Sequence, residues 1–167
     1  MKRKIFAILL VVTTLFVFAG CGPQTKTFTN DGISIMANDD FKQTSKDGHS
    51  LYLESDYATI SIKREKMADL NGLDENSDLR DYTDSVISNN NLNDISAQNF
   101  GGTGGYDYFS YDKNENNNDL TYFVTTAKGK DSFYLVTMQS KKADFKTYEE
   151  NFKTWAKSLK FDIKNEK

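Results

Sequence analysis

The side chains in this sequence that could do acid–base or metal chemistry do not form a complete catalytic set. His49 is the only histidine among the 167 residues and lies between Gly48 and Ser50. An isolated imidazole could act as a general base. A zinc site needs further spaced ligands, however, and nucleophilic catalysis needs a nucleophile beside the base. We therefore interpret His49 as an exposed residue of a turn that precedes a strand.

Acidic and amide side chains suggest a calcium loop at one place in the chain. Asp112-x-Asn114-x-Asn116 has the spacing with which an oxygen-rich calcium loop begins. Asn117 stands where the loop needs glycine, and Phe123 stands where a bidentate glutamate should close the site. The sequence therefore favours a solvated hairpin loop. We interpret the scattered carboxylates from Asp69 to Asp78 in the same way.

Glycines and aromatic residues in the middle of the chain are a further candidate site. The run Gly101-Gly102-Thr103-Gly104-Gly105 lacks phosphate-binding spacing and precedes a predicted strand, so it indicates a turn or a bulge. The aromatic side chains that follow alternate between the two faces of that strand, where they could line a partner surface or pack across strands. They are Tyr106, Tyr108, Phe109 and Tyr111.

The single cysteine, Cys21, follows a segment with the features of an export signal. Lys2, Arg3 and Lys4 form a basic start, an apolar run extends from Ile5 to Phe18, and the small residues Ala19 and Gly20 precede the cysteine. The apolar run is shorter than the roughly 20 residues that a membrane-spanning helix needs. An ordinary secretory signal with a coincidental cysteine is the alternative interpretation.

Phe18-Ala19-Gly20-Cys21 resembles the lipobox of bacterial lipoproteins, with Phe18 in place of the usual aliphatic residue. The resemblance implies that residues 1–20 are removed and that the Cys21 thiol carries a diacylglyceryl group. It also implies acyl chains such as palmitate and a lipidated tether over residues 21–25. Two acyl chains suffice for stable anchoring. We expect the protein on the extracytoplasmic face of the cell membrane.

The part of the chain that follows the predicted signal is acidic and has the length of one domain. Removal of residues 1–20 takes away three of the 21 basic residues, which leaves 18 against 24 acidic ones and a net charge near −6. Nucleic-acid binding needs a basic stripe, so nucleic acid is not an expected partner. The remaining 147 residues fit one domain that can bury a core without disulfide bonds. We expect this domain over residues 26–163.

Alternation of apolar and polar residues predicts strands and hairpins along this domain. Asp31-Gly32 predicts a tight turn in the first hairpin. The predicted strands are Thr25–Thr29, Ile33–Met36, Ser50–Glu54, Ala58–Arg64, Ile95–Asn99, Tyr106–Tyr111, Leu120–Thr126 and Phe133–Gln139. The last three of them form a β-meander.

Two segments have the spacing of amphipathic helices. Leu79, Tyr82 and Val86 return to one side of a helix that Ser77 or Asp78 would cap. The second helix has Asp144 as its expected cap and a bulky apolar stripe, which consists of Phe145, Tyr148, Phe152, Trp155 and Leu159. We assign Trp155 to the core. Grouped strands with inserted and appended helices predict an α+β fold, with a central antiparallel sheet flanked by helices.

The layout of turns and core aromatics resembles the PsbP-like domain family over nearly all of the chain after the signal. The similar segments are Phe28-x-x-Asp31-Gly32-Ile33-Ser34-Ile35, Phe41, Gly104-Gly105-Tyr106-Asp107-Tyr108 and Phe152-x-x-Trp155-Ala156-x-Ser158-Leu159-Lys160-Phe161. The resemblance implies a single domain with an antiparallel sheet between helices. It also implies a non-catalytic accessory role, as in the photosynthetic relatives.

We therefore expect a lipid-anchored binding module that engages another cell-envelope protein or complex. This hypothesis assigns no catalytic residue, no cofactor and no metal ligand, and Cys21 is its only site residue. One alternative is an envelope hydrolase that uses carboxylates such as Asp107 or Asp112. Another is a lipoprotein that captures a solute or calcium, which the ligand would stabilise by linkage.

Overall fold

The computed structural model describes residues 24–100 and 105–161. The predicted signal peptide and Cys21 lie outside this range. Neither α-helix of the described residues is long and apolar enough to cross a membrane. Each helix has at most 13 residues, whereas a span requires about 20.

Two antiparallel sheets form the framework of the domain. The large sheet has the strand order β3-β4-β5-β9-β8-β7-β6, and the small sheet has the order β1-β2-β10. The strands are β1 (Thr25–Asn30), β2 (Ile33–Asn38), β3 (Lys42–Thr44), β4 (Leu51–Glu54), β5 (Ala58–Lys66), β6 (Gln98–Asn99), β7 (Tyr106–Glu115), β8 (Asn118–Lys128), β9 (Ser132–Lys141) and β10 (Lys160–Phe161). The helices are a 3₁₀ helix (Met67–Asp69), α1 (Leu79–Asn89) and α2 (Phe145–Lys157).

Helices cover both faces of the large sheet, which confirms the predicted single-domain α+β fold. On one face, α2 and the small sheet enclose the main core, where Phe152 and Trp155 pack with Ile60 and Met138. On the other face, α1 contributes Ile87 to a cluster with apolar residues of β7 and β8. The layers have the order helix, antiparallel sheet, helix, as the PsbP-like resemblance implies.

Short sequence patterns predicted the first hairpin turn and the residues at which the two α-helices begin. Asp31 and Gly32 have φ angles of 49° and 71°, the left-handed conformation that a two-residue hairpin turn requires. Asp78 caps α1, because its side chain accepts a hydrogen bond from the amide of Asp81, and the Asp81 side chain accepts one from the amide of Asp78. Asp144 is the residue before α2, as predicted, but its side chain makes no capping hydrogen bond.

The observed strands differ from the predicted ones where a strand is defined by its pairing with a segment distant in the sequence. The predicted strand Ile95–Asn99 is reduced to Gln98–Asn99, which pairs only with part of β7. β3 and β10 were not predicted. They are short and are defined by their partners β4 and β2. The alternation in β5 is confirmed, since Ile60 and Ile62 are buried while the residues between them are half-buried.

The strand registers define two ends of the domain. At the proximal end, where the chain enters β1, Thr25 lies opposite Asn38 and Ala58 lies opposite Ser140. At the distal end, Lys66 lies opposite Ser132. β5 extends over the whole distance between these ends. With a rise of about 3.3 Å per residue, its eight residue steps separate the two ends by roughly 26 Å.

Candidate binding cleft

A cleft with a volume of about 560 Å³ opens at the distal end of the domain. We call it the distal cleft. Its lining combines an apolar floor with a polar rim and consists of Met67, Ala68, Leu70, Leu73, Asp74, Glu75, Asn76, Lys130 and Asp131. Met67 is buried, whereas Leu70 and Leu73 remain half-buried. Half-buried leucines in a concave site can bury further apolar surface when a ligand binds.

Hydrogen bonds hold the loop that forms the distal cleft. The Met67 amide donates to the carbonyl oxygen of Asp131 at 3.0 Å, which joins the start of the loop to the β8–β9 turn. The Lys128 ammonium group donates to the carbonyl oxygens of Glu75 and Ser77 at 3.0 and 2.6 Å. The loop is thus connected to the same turn at both its start and its end. Such preorganisation lowers the entropy cost of binding.

Asp74 stabilises the middle of this loop as an Asx turn. Its Oδ1 atom accepts hydrogen bonds from the amides of Asn76 and Ser77 at 2.8 and 3.1 Å. These hydrogen bonds, that from Asn76 foremost, lower the pKa of Asp74 from its ordinary value of 3.8. The carboxylate is therefore ionised at neutral pH and adds a fixed negative charge to the rim.

Asp131 contributes a second ionised carboxylate to the rim. Its Oδ1 atom accepts a hydrogen bond from the Ser132 hydroxyl at 2.7 Å and lies 3.4 Å from Arg64 Nη2. The Ser132 hydrogen bond and then the Arg64 guanidinium lower the pKa of Asp131. Glu75 is exposed beside these two groups. The rim thus combines carboxylates with the apolar floor.

A second cavity of about 420 Å³ adjoins the distal cleft, and Leu70 and Leu73 line both. Tyr82 of α1 forms part of its wall and donates a hydrogen bond to Glu65 Oε2 at 2.8 Å. Burial raises the pKa of the Tyr82 phenol. Its ring stacks on Phe133 with centroids 4.4 Å apart. The Tyr82–Phe133 pair provides a rigid support beneath the loop.

Asp107, one of the two carboxylates of the hydrolase alternative, lies inside the structure. Its side chain is only 4% exposed, forms an ion pair with Arg80 Nε at 3.1 Å and accepts a hydrogen bond from Asn99 Nδ2 at 2.9 Å. Arg80 also donates to the carbonyl oxygen of Ala97. These contacts join α1 to β6 and β7. In this position Asp107 stabilises the packing of α1.

Asp112, the other carboxylate, is not brought together with Asp107. The two residues are five positions apart in β7, so their side chains lie on opposite faces of the sheet. Asp112 accepts a hydrogen bond from Thr121 and lies 2.9 Å from the Lys142 ammonium group. The Thr121 hydrogen bond is the main cause that lowers the pKa of Asp112.

The suspected calcium loop is a tight hairpin turn, as predicted. Asn116 and Asn117 have φ angles of 50° and 65° and connect the last pair of β7 and β8 residues. Asn114 donates to Asp119 Oδ1 at 2.8 Å. Within residues 24–100 and 105–161, no group of three or more histidine, cysteine or acidic residues could hold a metal ion.

His49 lies in the predicted turn before β4, away from the distal cleft. Its Nδ1 atom is 2.9 Å from the carbonyl oxygen of Asp47, and its ring packs edge-on against Tyr52. Both residues line a smaller polar cavity of about 290 Å³. Gly105 has a φ angle of 58°, and the rest of the glycine run lies outside the described residues.

The aromatic residues of β7 pack across strands on both faces of the large sheet. Tyr108 stacks on Phe100 with centroids 4.3 Å apart, and Tyr111 stacks on Tyr122 with centroids 5.0 Å apart. Tyr106 donates a hydrogen bond to the carbonyl oxygen of Leu159. These aromatic residues stabilise the sheet.

Sequence reasoning did not identify the leucines of the distal cleft. Met67, Leu70 and Leu73 recur at intervals of three within an otherwise acidic segment. This apolar periodicity is the signal that could have distinguished the segment from an ordinary solvated loop. Within this segment the only helical turn is the short 3₁₀ helix Met67–Asp69.

Comparisons with known proteins show a likeness of fold. No family model matches the chain, and no curated protein matches it. A crystal structure from Bacteroides thetaiotaomicron VPI-5482 is similar at a TM-score of 0.54 and 15% identity, over 83% of this chain and 48% of that one. The chain therefore spans about half the length of that protein, and the likeness concerns the fold alone.

The solution structure of cyanobacterial PsbP (CyanoP) from Synechocystis sp. PCC 6803 is a second match. It has a TM-score of 0.49 and 10% identity, over 88% of this chain and 98% of that one.

Proposed function

We propose that this protein is a lipoprotein, anchored through Cys21 on the extracytoplasmic face of the cell membrane, whose domain acts by binding and without chemistry of its own. The partner is another cell-envelope protein, which inserts a segment with basic and apolar side chains into the distal cleft. The lipobox-like sequence Phe18-Ala19-Gly20-Cys21 supports the anchor, and the PsbP-like resemblance supports an accessory role.

The observation that carries the proposal is the composition of the distal cleft. Met67, Leu70 and Leu73 form an apolar floor beside Asp74 and Asp131. Apolar side chains of a partner would lose contact with water on this floor, at about 25 cal/mol for each Å² buried. Because Asp131 already lies beside Arg64, Asp74 and Glu75 are the rim carboxylates that would attract lysine or arginine side chains of the same segment and orient it.

The net charge near −6 after removal of the signal favours the same kind of partner. An acidic protein attracts basic surfaces at long range, and this attraction weakens as the salt concentration rises. We therefore expect the partner to associate faster at low salt. We expect the apolar floor to determine how slowly the complex dissociates.

A photo-reactive amino acid placed at Leu73 tests the proposal in the anchored protein in its own membrane. Leu73 is half-buried in the floor of the distal cleft, and Met36 provides the matched control because it is 46% exposed on β2. We expect one defined envelope protein to be cross-linked from position 73 and not from position 36. Equal capture from both positions, or none from position 73, would contradict the docking site.

A purified-protein assay identifies the chemistry of the occupant. A fluorescent peptide of alternating lysine and leucine should bind, and a matched peptide of glutamate and leucine should not. Leu73→Ser should weaken binding at least about tenfold, since full burial of a leucine side chain contributes roughly 1.5–3 kcal/mol and a tenfold change in affinity corresponds to about 1.4 kcal/mol. Met36→Ser should leave binding unchanged. Equal binding of the two peptides would exclude an electrostatic contribution from the rim.

Metabolic labelling with a fatty-acid analogue tests the anchor. We expect label on the wild-type protein and none on Cys21→Ala. Label that persists on Cys21→Ala would show that the acyl group is attached elsewhere.

A further inference from the structure

The chain becomes part of the domain immediately after the predicted lipid attachment site. The Asp39 amide donates a hydrogen bond to the carbonyl oxygen of Gln24 at 2.7 Å, and β1 begins at the next residue, Thr25. In the sequence, only Gly22 and Pro23 separate Cys21 from Gln24. The backbone from Cys21 to Gln24 consists of three residue steps, which reach at most about 11 Å when fully extended.

From this short connection we infer that the proximal end faces the phospholipid headgroups and that the distal cleft points away from the membrane. The inference rests on the proposed lipid anchor. The tether keeps the start of β1 within about 11 Å of the acylated residue. The distal cleft lies roughly 26 Å further along β5, so a partner would reach it from the side away from the bilayer.

The residues of the proximal end indicate how this orientation is maintained. Asp39, Asp40 and Asp56 are exposed there, and Asp40 accepts a hydrogen bond from the Tyr57 hydroxyl at 3.1 Å. Lys26 and Lys141 are exposed at the same end, so this end carries both signs of charge and anionic headgroups do not select its orientation by charge. The covalent tether therefore sets the orientation.

Fluorescence quenching in lipid vesicles tests the orientation with the full lipidated chain. Acylation consumes the only native thiol, so a cysteine introduced by Asp56→Cys or Glu75→Cys can be labelled selectively. Both positions are exposed, Asp56 at the proximal end and Glu75 at the distal cleft. With a nitroxide quencher on the lipid headgroups, we expect roughly twofold or greater quenching at position 56 relative to position 75, because about 26 Å separates the two ends.

Two controls separate the orientation from the anchor. Insertion of ten glycine and serine residues between Pro23 and Gln24 gives a flexible tether of roughly 16–19 Å and should reduce the difference between the two positions. Equal quenching at both positions of the original chain, or stronger quenching at position 75, would overturn the orientation alone. If the Cys21 thiol of the wild-type protein reacts with maleimide, the lipid anchor and the orientation are both wrong.

Discussion

Replacement of Asp107 distinguishes a structural carboxylate from a catalytic one. Asp107→Ala removes the ion-pair partner of Arg80 Nε, which lies 3.1 Å away, and the hydrogen-bond acceptor for Asn99 Nδ2 at 2.9 Å. Breaking a fully buried ion pair costs about 3–5 kcal/mol. Arg80 is 41% exposed and can recover part of its hydration. We therefore expect Asp107→Ala to lower the free energy of unfolding by about 2–3 kcal/mol, below the full buried-pair cost.

Urea denaturation of the purified domain measures this change, and a double-mutant cycle with Arg80→Ala isolates the pair. We expect a coupling energy of about 1 kcal/mol between the two side chains. Lys142→Ala is the matched control, because it removes the ion pair with Asp112 and leaves the hydrogen bond from Thr121 to Asp112 in place. This ion pair is half exposed, so water replaces it and the stability should not change measurably.

A free energy of unfolding for Asp107→Ala within about 0.5 kcal/mol of the wild type would refute this reasoning, because that is the range of ordinary surface substitutions. A stably folded Asp107→Ala variant that has lost a hydrolytic activity of the wild type would instead favour the hydrolase alternative.

Three further measurements test other parts of the structure. Tyr82→Phe removes the hydrogen bond to Glu65 and should lower the free energy of unfolding by about 1 kcal/mol, measured by urea denaturation; an unchanged value would mean that this bond contributes nothing to stability. Because the pKa of Asp74 is lowered in the folded state, its contribution to stability is present above pH 3.8 and is lost as the pH falls through the folded pKa. The amide shifts of Asn76 and Ser77 in NMR spectra should therefore titrate with a midpoint below 3.8, and Asp74→Asn should abolish that titration; a midpoint above this value would be inconsistent with the Asx turn. Millimolar calcium should leave the melting temperature unchanged, whereas a rise that chelator reverses would favour the calcium-capture alternative, because a ligand specific to the folded state stabilises it.

Elements with strong local signals were predicted correctly from the sequence. The Asp31-Gly32 turn formed as expected because both residues tolerate a positive φ angle. The apolar stripe of α2 was also predicted, and Phe152 and Trp155 are buried as expected. Periodicity within a few turns of chain is sufficient for such predictions.

Elements defined by distant partners were not predicted. β3 and β10 have three and two residues, too few for a recognisable alternation. β10 exists because Lys160 pairs with Ser34, far away in the sequence. The role of Asp107 likewise depends on Arg80, which a different element contributes. Such pairs cannot be assigned before the topology is known.

The sequence by itself determined the first hairpin and the amphipathic helices, and it predicts an export signal and an acylation site at Cys21, because each depends on residues that are neighbours in the chain. The tertiary structure decided which side chains form the distal cleft and which end of the domain follows Gln24. Antiparallel pairing of β5 with β9 brings the loop after Lys66 against Asp131. Contacts of this kind arise from strand register, which is specified only when the whole hydrophobic core assembles.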